Sequence, residues 1–180
     1  MKNILLLFAF ALFIRNGALA QGDGIQFMEG SWKEILAKAA EEDKLIFLDA
    51  YAEWCGPCKM MDRESYPEKN VGDFYNAHFV NVKIDMEKGE GPELARKFEV
   101  RAYPTLLFVD SGGNVVHQSI GYQTAEQLLE LGEAANDPSR QLAALNQRYA
   151  AGDRTPEFLY NYTKARYEIM DGSHEKVAEE

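Results

Sequence analysis

Cysteine is scarce in this chain: two residues, Cys55 and Cys58, in a length of 180. That count excludes a disulfide-framework mini-protein and a four-cysteine zinc module. The three histidines (His78, His117 and His174) are dispersed and offer no ligand spacing that would complete a zinc site around the pair. Basic residues are also in deficit. Nineteen Lys and Arg against 29 Asp and Glu give a formal charge of −10, the wrong sign for a phosphate backbone, so nucleic acid is excluded as a partner. Long apolar runs are missing as well. Ile4 to Ile14 spans eleven residues, short of the roughly 18–20 a bilayer crossing requires, and no later segment is long enough. What is present is 46% apolar and 12% aromatic residues, too rich for a disordered chain. A soluble protein with a packed core remains.

The first twenty residues read as an address. Lys2 supplies a positive start, Ile4–Ile14 an apolar stretch, and Ala18-Leu19-Ala20 the small residues of a cleavage site, the three-part form of a secretory signal peptide. Cleavage after Ala20 removes Lys2 and Arg15, taking −10 to −12. No cysteine lies beside Ala20, so lipid attachment of the usual bacterial kind is not expected. The expectation is an exported protein, periplasmic or secreted, that does not span the membrane after cleavage.

Residues 21–135 form the expected main domain. After a flexible Gln21-Gly22-Asp23-Gly24, Ser31 caps a helix from Trp32 to Glu42, where Trp32, Ile35, Leu36 and Ala39 recur at helical spacing. Lys44–Ala50 is a continuous apolar run of strand length, the kind buried on both faces. Tyr51–Cys58 reads as a loop turning into a helix, Pro67–His78 as a helix, Phe79–Ile84 as a strand and Gly91–Phe98 as a helix. Thr105–Val109 and Val115–Ile120 flank Ser111-Gly112-Gly113-Asn114, a hairpin signal. Thr124 caps a helix reaching Ala135. Met60 and Met61 read as core packing. This order predicts an α/β fold, a central mixed sheet with helices on both faces.

Asn136-Asp137-Pro138 marks the start of an α-helical extension, residues 136–180. Helix starts fall at Pro138, at Pro156 behind Thr155, and at Ser173, with Gly152 and Gly172 as helix-ending residues. The summed spacing of about 35 residues resembles a helical-hairpin repeat, here incomplete; the plainer reading is an extension packed on the domain.

The chemistry lies at Cys55-Gly56-Pro57-Cys58. Two cysteines separated by two residues can close a disulfide across the first turn of a helix. Cys55 then sits at the helix start, where free N–H groups and the macrodipole favour a thiolate, while Cys58, one turn in, is shielded and able to resolve a mixed disulfide. A purely structural disulfide would close too short a loop to stabilise much.

Phe47-Leu48-Asp49-Ala50-Tyr51-Ala52-Glu53-Trp54-Cys55-Gly56-Pro57-Cys58-Lys59 resembles the active-site segment of thioredoxins. Val82-Lys83-Ile84-Asp85 and Tyr103-Pro104-Thr105 resemble the family's next two signature segments, in the right order. The likeness covers roughly residues 30–135 and implies a thioredoxin fold. It also implies roles. Cys55 is the nucleophile and Cys58 the resolving thiol. Asp49 relays the proton, its pKa raised by burial, and Lys83 tunes it. Trp54 covers the thiol in a turn with Gly56 and Pro57. Tyr103, a cis Pro104, Thr105 and Gly121 line a substrate groove. Many reductants carry an aliphatic residue where Tyr103 stands. No cofactor beyond the Cys55–Cys58 disulfide is implied, and no metal.

A Gly-Pro dipeptide between the cysteines resembles the reducing end of the family, near about −270 mV against about −120 mV for the strongest periplasmic oxidants. The expectation is a protein-disulfide reductant acting on exported, disulfide-bearing proteins and fed by a membrane thiol electron donor. A disulfide isomerase or oxidase is the alternative within the family. Outside it stands a partner-recruiting assembly module, in which residues 138–180 do the work and the redox pair is secondary.

Overall fold

The computed structural model describes residues 23–168. The signal segment, Gln21 and Gly22, and the helix start at Ser173 with Gly172 before it lie outside the described residues. Along the chain run α1 (Trp32–Glu42), β1 (Leu45–Tyr51), α2 (Gly56–Glu64), α3 (Lys69–His78), β2 (Phe79–Asp85), α4 (Gly91–Lys97), β3 (Thr105–Val109), β4 (Val115–Ile120), α5 (Ala125–Asn136), α6 (Leu142–Ala150) and α7 (Pro156–Glu168).

The strands order as β2-β1-β3-β4. β1 runs parallel to β2 and antiparallel to β3, and β4 returns antiparallel beside β3. This mixed sheet with helices on both faces is the expected fold class. β1 is apolar but for Asp49 because both its faces are covered. Ile46, Leu48 and Ala50 pack with Trp32, Ile35, Leu94 and Phe98 from α1 and the α4 segment. Phe47 packs on the opposite side with Met61 of α2, Tyr66 of the turn after it, Tyr75 of α3 and Leu128 of α5. Period-two alternation therefore places Asp49 on the α2 side, and the 0% exposure of that carboxylate residue is the first sign of unusual chemistry.

The helix starts are read from local side chains. Ser31 with Glu34 and Thr124 with Gln127 form reciprocal capping boxes on α1 and α5, satisfying amides that have no partner within the helix. Three expectations are corrected. Gly24 is held, not flexible: its carbonyl accepts from Asn76 at 3.1 Å, and a Cβ there would stand 2.3 Å from the Tyr66 carbonyl oxygen. Met61 is buried, but Met60 is 38% exposed, because the buried face of α2 passes through Cys58 and Met61. Pro138 opens a turn, not a helix. The Asp137 carboxylate takes the Ser139 N–H, and the Asp137 carbonyl takes those of Arg140 and Gln141. α6 therefore begins only at Leu142.

α6 and α7 share a small core of Leu142, Leu145, Phe158, Tyr162 and Ala165, and both contact β4. The join is polar at one point: the Leu142 N–H donates to Nδ1 of His117, a buried residue of β4, at 3.1 Å. Burial, reinforced by Arg140, holds the His117 pKa down at about 4 against an ordinary 6.5. Because the folded value is depressed, the unfolded chain takes up the proton first, and His117's contribution to stability fades as pH falls from 6.5 towards 4. Protonated Nδ1 can no longer accept. The Leu142 amide should therefore lose hydrogen-exchange protection as pH falls from 6.5 through about 4, after correction for intrinsic rates, while the Leu128 amide in α5 keeps its own.

Candidate active site

The turn from β1 into α2 builds the redox centre. Cys55 is the N-cap of α2, in extended conformation, with Pro57 in the first turn, where the missing N–H forfeits no helical bond. Cys55 and Cys58 are joined in a disulfide, their Cα atoms 5.4 Å apart. The Cys58 N–H donates to Cys55 Sγ at 3.1 Å. That amide and the α2 dipole would favour a thiolate at Cys55 once the bond is reduced.

Cys58 was expected to be shielded one turn into the helix and the thiol to be covered by Trp54; each cysteine is 2% exposed. Tyr51 and Tyr103 both pack against the cluster of Ala52, Cys55 and Cys58. The Trp54 ring meets Tyr103 edge-on, with centroids 5.7 Å apart. Trp54 itself is 68% exposed. Its indole N–H donates to both carboxylate oxygens of Glu87, at 3.1 and 3.0 Å.

The Tyr103–Pro104 peptide is cis. The Pro104 carbonyl accepts from the Gly121 N–H at 2.9 Å, which ties the strand-end glycine to this loop. Gly121 has φ +93° with open space where a Cβ would stand, so its backbone conformation calls for glycine and local crowding does not. Thr105 is buried and donates its hydroxyl to the Ala102 carbonyl at 2.7 Å.

Asp49 is paired in register with Lys83 across the parallel β1–β2 ladder. Lys83 Nζ lies 3.4 Å from Asp49 Oδ2. Burial pushes the Asp49 pKa up to about 6 from an ordinary 3.8, against the opposing pull of Lys83 and the Tyr66 hydroxyl. The same ammonium is hydrogen-bonded to Asp62 on α2 and lies over the Tyr51 and Tyr66 rings, 4.8 and 5.5 Å from their centroids. A carboxyl in this setting can take and return a proton near neutral pH.

A family described as a thioredoxin-like domain matches residues 32–136. The chain belongs to the thioredoxin-like family. It is 37% identical to a thioredoxin of Alicyclobacillus acidocaldarius subsp. acidocaldarius over 92 residues, 51% of this chain and 81% of the relative. To Thioredoxin-1 of Drosophila melanogaster it is 44% identical over 70 residues, 39% of this chain, and it spans only 61% of that relative's length. Among solved structures, a candidate disulphide isomerase from Bacteroides thetaiotaomicron is 50% identical with a TM-score of 0.56, covering 63% of this chain and 97% of that one. The C-terminal helices α6 and α7 follow the matched thioredoxin-like segment.

Within this thioredoxin-like site the structure gathers Trp54, Cys55, Cys58 and Tyr103 around the disulfide, and Asp49 and Lys83 beneath the α2 side of the sheet. Three residues of the same surroundings escaped the sequence reading. Asp62 had a signal, since it stands four residues after Cys58 along α2. Tyr66 and Glu87 had none beyond the general need of a buried carboxyl and an exposed indole N–H for polar neighbours. Among the described residues no group of three or more His, Cys, Asp or Glu is placed to hold a metal ion.

Proposed function

We propose that the protein is an exported thiol–disulfide oxidoreductase that works as a reductant of protein disulfides. The observation that carries this reading is a Cys55–Cys58 disulfide at the start of α2, with a buried, proton-accepting Asp49 on the same side of the sheet as that helix. In the reduced form, the Cys55 thiolate attacks one sulfur of a substrate disulfide. A Cys55–substrate bond forms and the other substrate sulfur leaves as a thiolate. Asp49 takes the proton of the Cys58 thiol, with Lys83 beside it. The Cys58 thiolate then attacks Cys55 Sγ, closing the Cys55–Cys58 bond and releasing the second substrate thiolate. The dithiol gives up two electrons and two protons, the substrate takes both, and no cofactor is required.

Trp54, Gly56 and Pro57 shape the contact surface, and Tyr103, Pro104, Thr105 and Gly121 border the strand of substrate beside the cysteines. Export rests on the signal-peptide form of residues 1–20, and the reducing direction on the Gly56-Pro57 dipeptide. Outside the cytosol a reductant needs electrons from a thiol relay in the membrane. The isomerase reading is favoured by one observation, the name carried by the 50% identical Bacteroides structure.

Substrate capture tests the function. Cys58→Ser should accumulate mixed disulfides with exported proteins through Cys55, released by dithiothreitol. If no thiol-sensitive adduct forms while the variant remains folded, the oxidoreductase reading fails.

A further inference from the structure

Lys83 is shared between two acids. Its ammonium, on a side chain 17% exposed, reaches Asp49 Oδ2 at 3.4 Å and is hydrogen-bonded to Asp62. Neither oxygen of the buried Asp49 accepts a hydrogen bond of good geometry. The lysine's hydrogen bond of good geometry therefore goes to the outer acid, and the inner one receives a longer, weaker contact at 3.4 Å. Asp62 is 43% exposed and needs no partner for solvation, so the arrangement gains little for Asp62 itself. Its consequence falls on Asp49.

We infer that Asp62 is a positioning residue that draws Lys83 away from Asp49 and so sets how readily Asp49 holds the proton of the resolving step. The inference rests on the oxidoreductase reading for its consequence in catalysis, though not for the electrostatics. The groups facing Asp49 are few. β2 contributes Lys83; α2 and the residue just beyond it contribute Asp62 and Tyr66; β1 contributes Tyr51. Tyr75 of α3 acts on Tyr66, and the β3 neighbour in register is the uncharged Leu106. Asp62 repels charge on Asp49 directly and holds Lys83, the cation that would attract it. Both effects favour the protonated inner acid. Removing the Asp62 charge reverses both.

The test is the Asp49 titration in the oxidised protein, followed by carboxyl-carbon NMR. Asp62→Asn should lower its midpoint by about one pH unit, the scale of a single neighbouring charge. Asp62→Glu should return the midpoint most of the way. Asp73→Asn, which removes an equal charge from the exposed Lys69–Asp73 pair on α3, should leave it in place. In reduction assays the acid limb of the pH–rate profile should move down with the Asp62→Asn midpoint. An unmoved midpoint in Asp62→Asn, or an equal shift in Asp73→Asn, overturns the inference. Absence of disulfide exchange in the unaltered protein would instead overturn the proposed function, leaving the titration result to stand on its own.

Discussion

Cys55→Ser should lose thiol–disulfide exchange completely, at every pH and with every substrate, while keeping the fold. Cys55 terminates no buried apolar network larger than Ala52, Cys58 and the flanking tyrosines, and serine is itself a favoured N-cap that can accept the Cys58 N–H. The loss is therefore chemical. A hydroxyl at this position cannot form a mixed disulfide, and Cys58 inherits neither the N-cap position nor its amide bond. Cys58→Ser should differ in kind: one equivalent of substrate thiol is released per protein molecule and the reaction then stops at the mixed disulfide. Single-turnover release of thiol, followed by mass spectrometry of the adduct, distinguishes the two variants. Equal loss in both without an adduct would mean that Cys55 is not the attacking sulfur.

Asp49→Asn should make the oxidised protein more stable and the reduced protein slower. A carboxyl that titrates at about 6 in the folded chain and at 3.8 when unfolded penalises the native state as pH rises through that interval. At 1.36 kcal/mol per pH unit, the penalty reaches about 3 kcal/mol above pH 6. The asparagine has no charge to bury, although its amide still lacks partners, at a cost of about 1 kcal/mol. A net gain of about 2 kcal/mol at pH 8 is expected, shrinking as pH falls through 6 and absent near pH 4. Denaturant unfolding at the two pH values reads it directly. On the proposed mechanism, in which Asp49 takes the Cys58 proton, the resolving step should slow by about 10²–10³-fold at pH 7. The deficit should narrow at alkaline pH, where Cys58 ionises unaided. A variant that is slower but no more stable would mean that Asp49 is not buried in its charged form.

Much of this fold is legible because its strongest signals are local. The β1 run, the Ser111–Asn114 hairpin and the helix caps Ser31 and Thr124 each depend on residues within a few positions of one another, and each appears where the pattern puts it. The Cys55–Cys58 pair is legible for the same reason. What escaped depends on approach through space. Tyr103, 48 positions beyond Cys55 along the chain, packs against the cysteine cluster, and the Trp54 indole is anchored by Glu87 from the turn after β2. Sequence neighbours of Glu87 say nothing about that contact. The join between β4 and α6 turns on His117, which looks like any isolated histidine until the Leu142 amide points at it. Pro138 misled because proline at a helix start and proline in a turn share the same φ, and the Asp137 oxygens decided between them. The Lys83–Asp62 bond lies between these cases. Helical spacing puts Asp62 one turn beyond Cys58, but only the parallel β1–β2 register brings Lys83 to Asp49 and within reach of α2.

Whether Cys55 and Cys58 form a reducing couple is read from their equilibrium with glutathione buffers. The purified protein, equilibrated over a range of glutathione ratios and scored for the Cys55–Cys58 disulfide by thiol alkylation, should yield a potential near about −270 mV, the value of thioredoxin-type centres. A potential above about −180 mV, the level of protein disulfide isomerase, would contradict the reductant reading and assign the same site to isomerisation or oxidation.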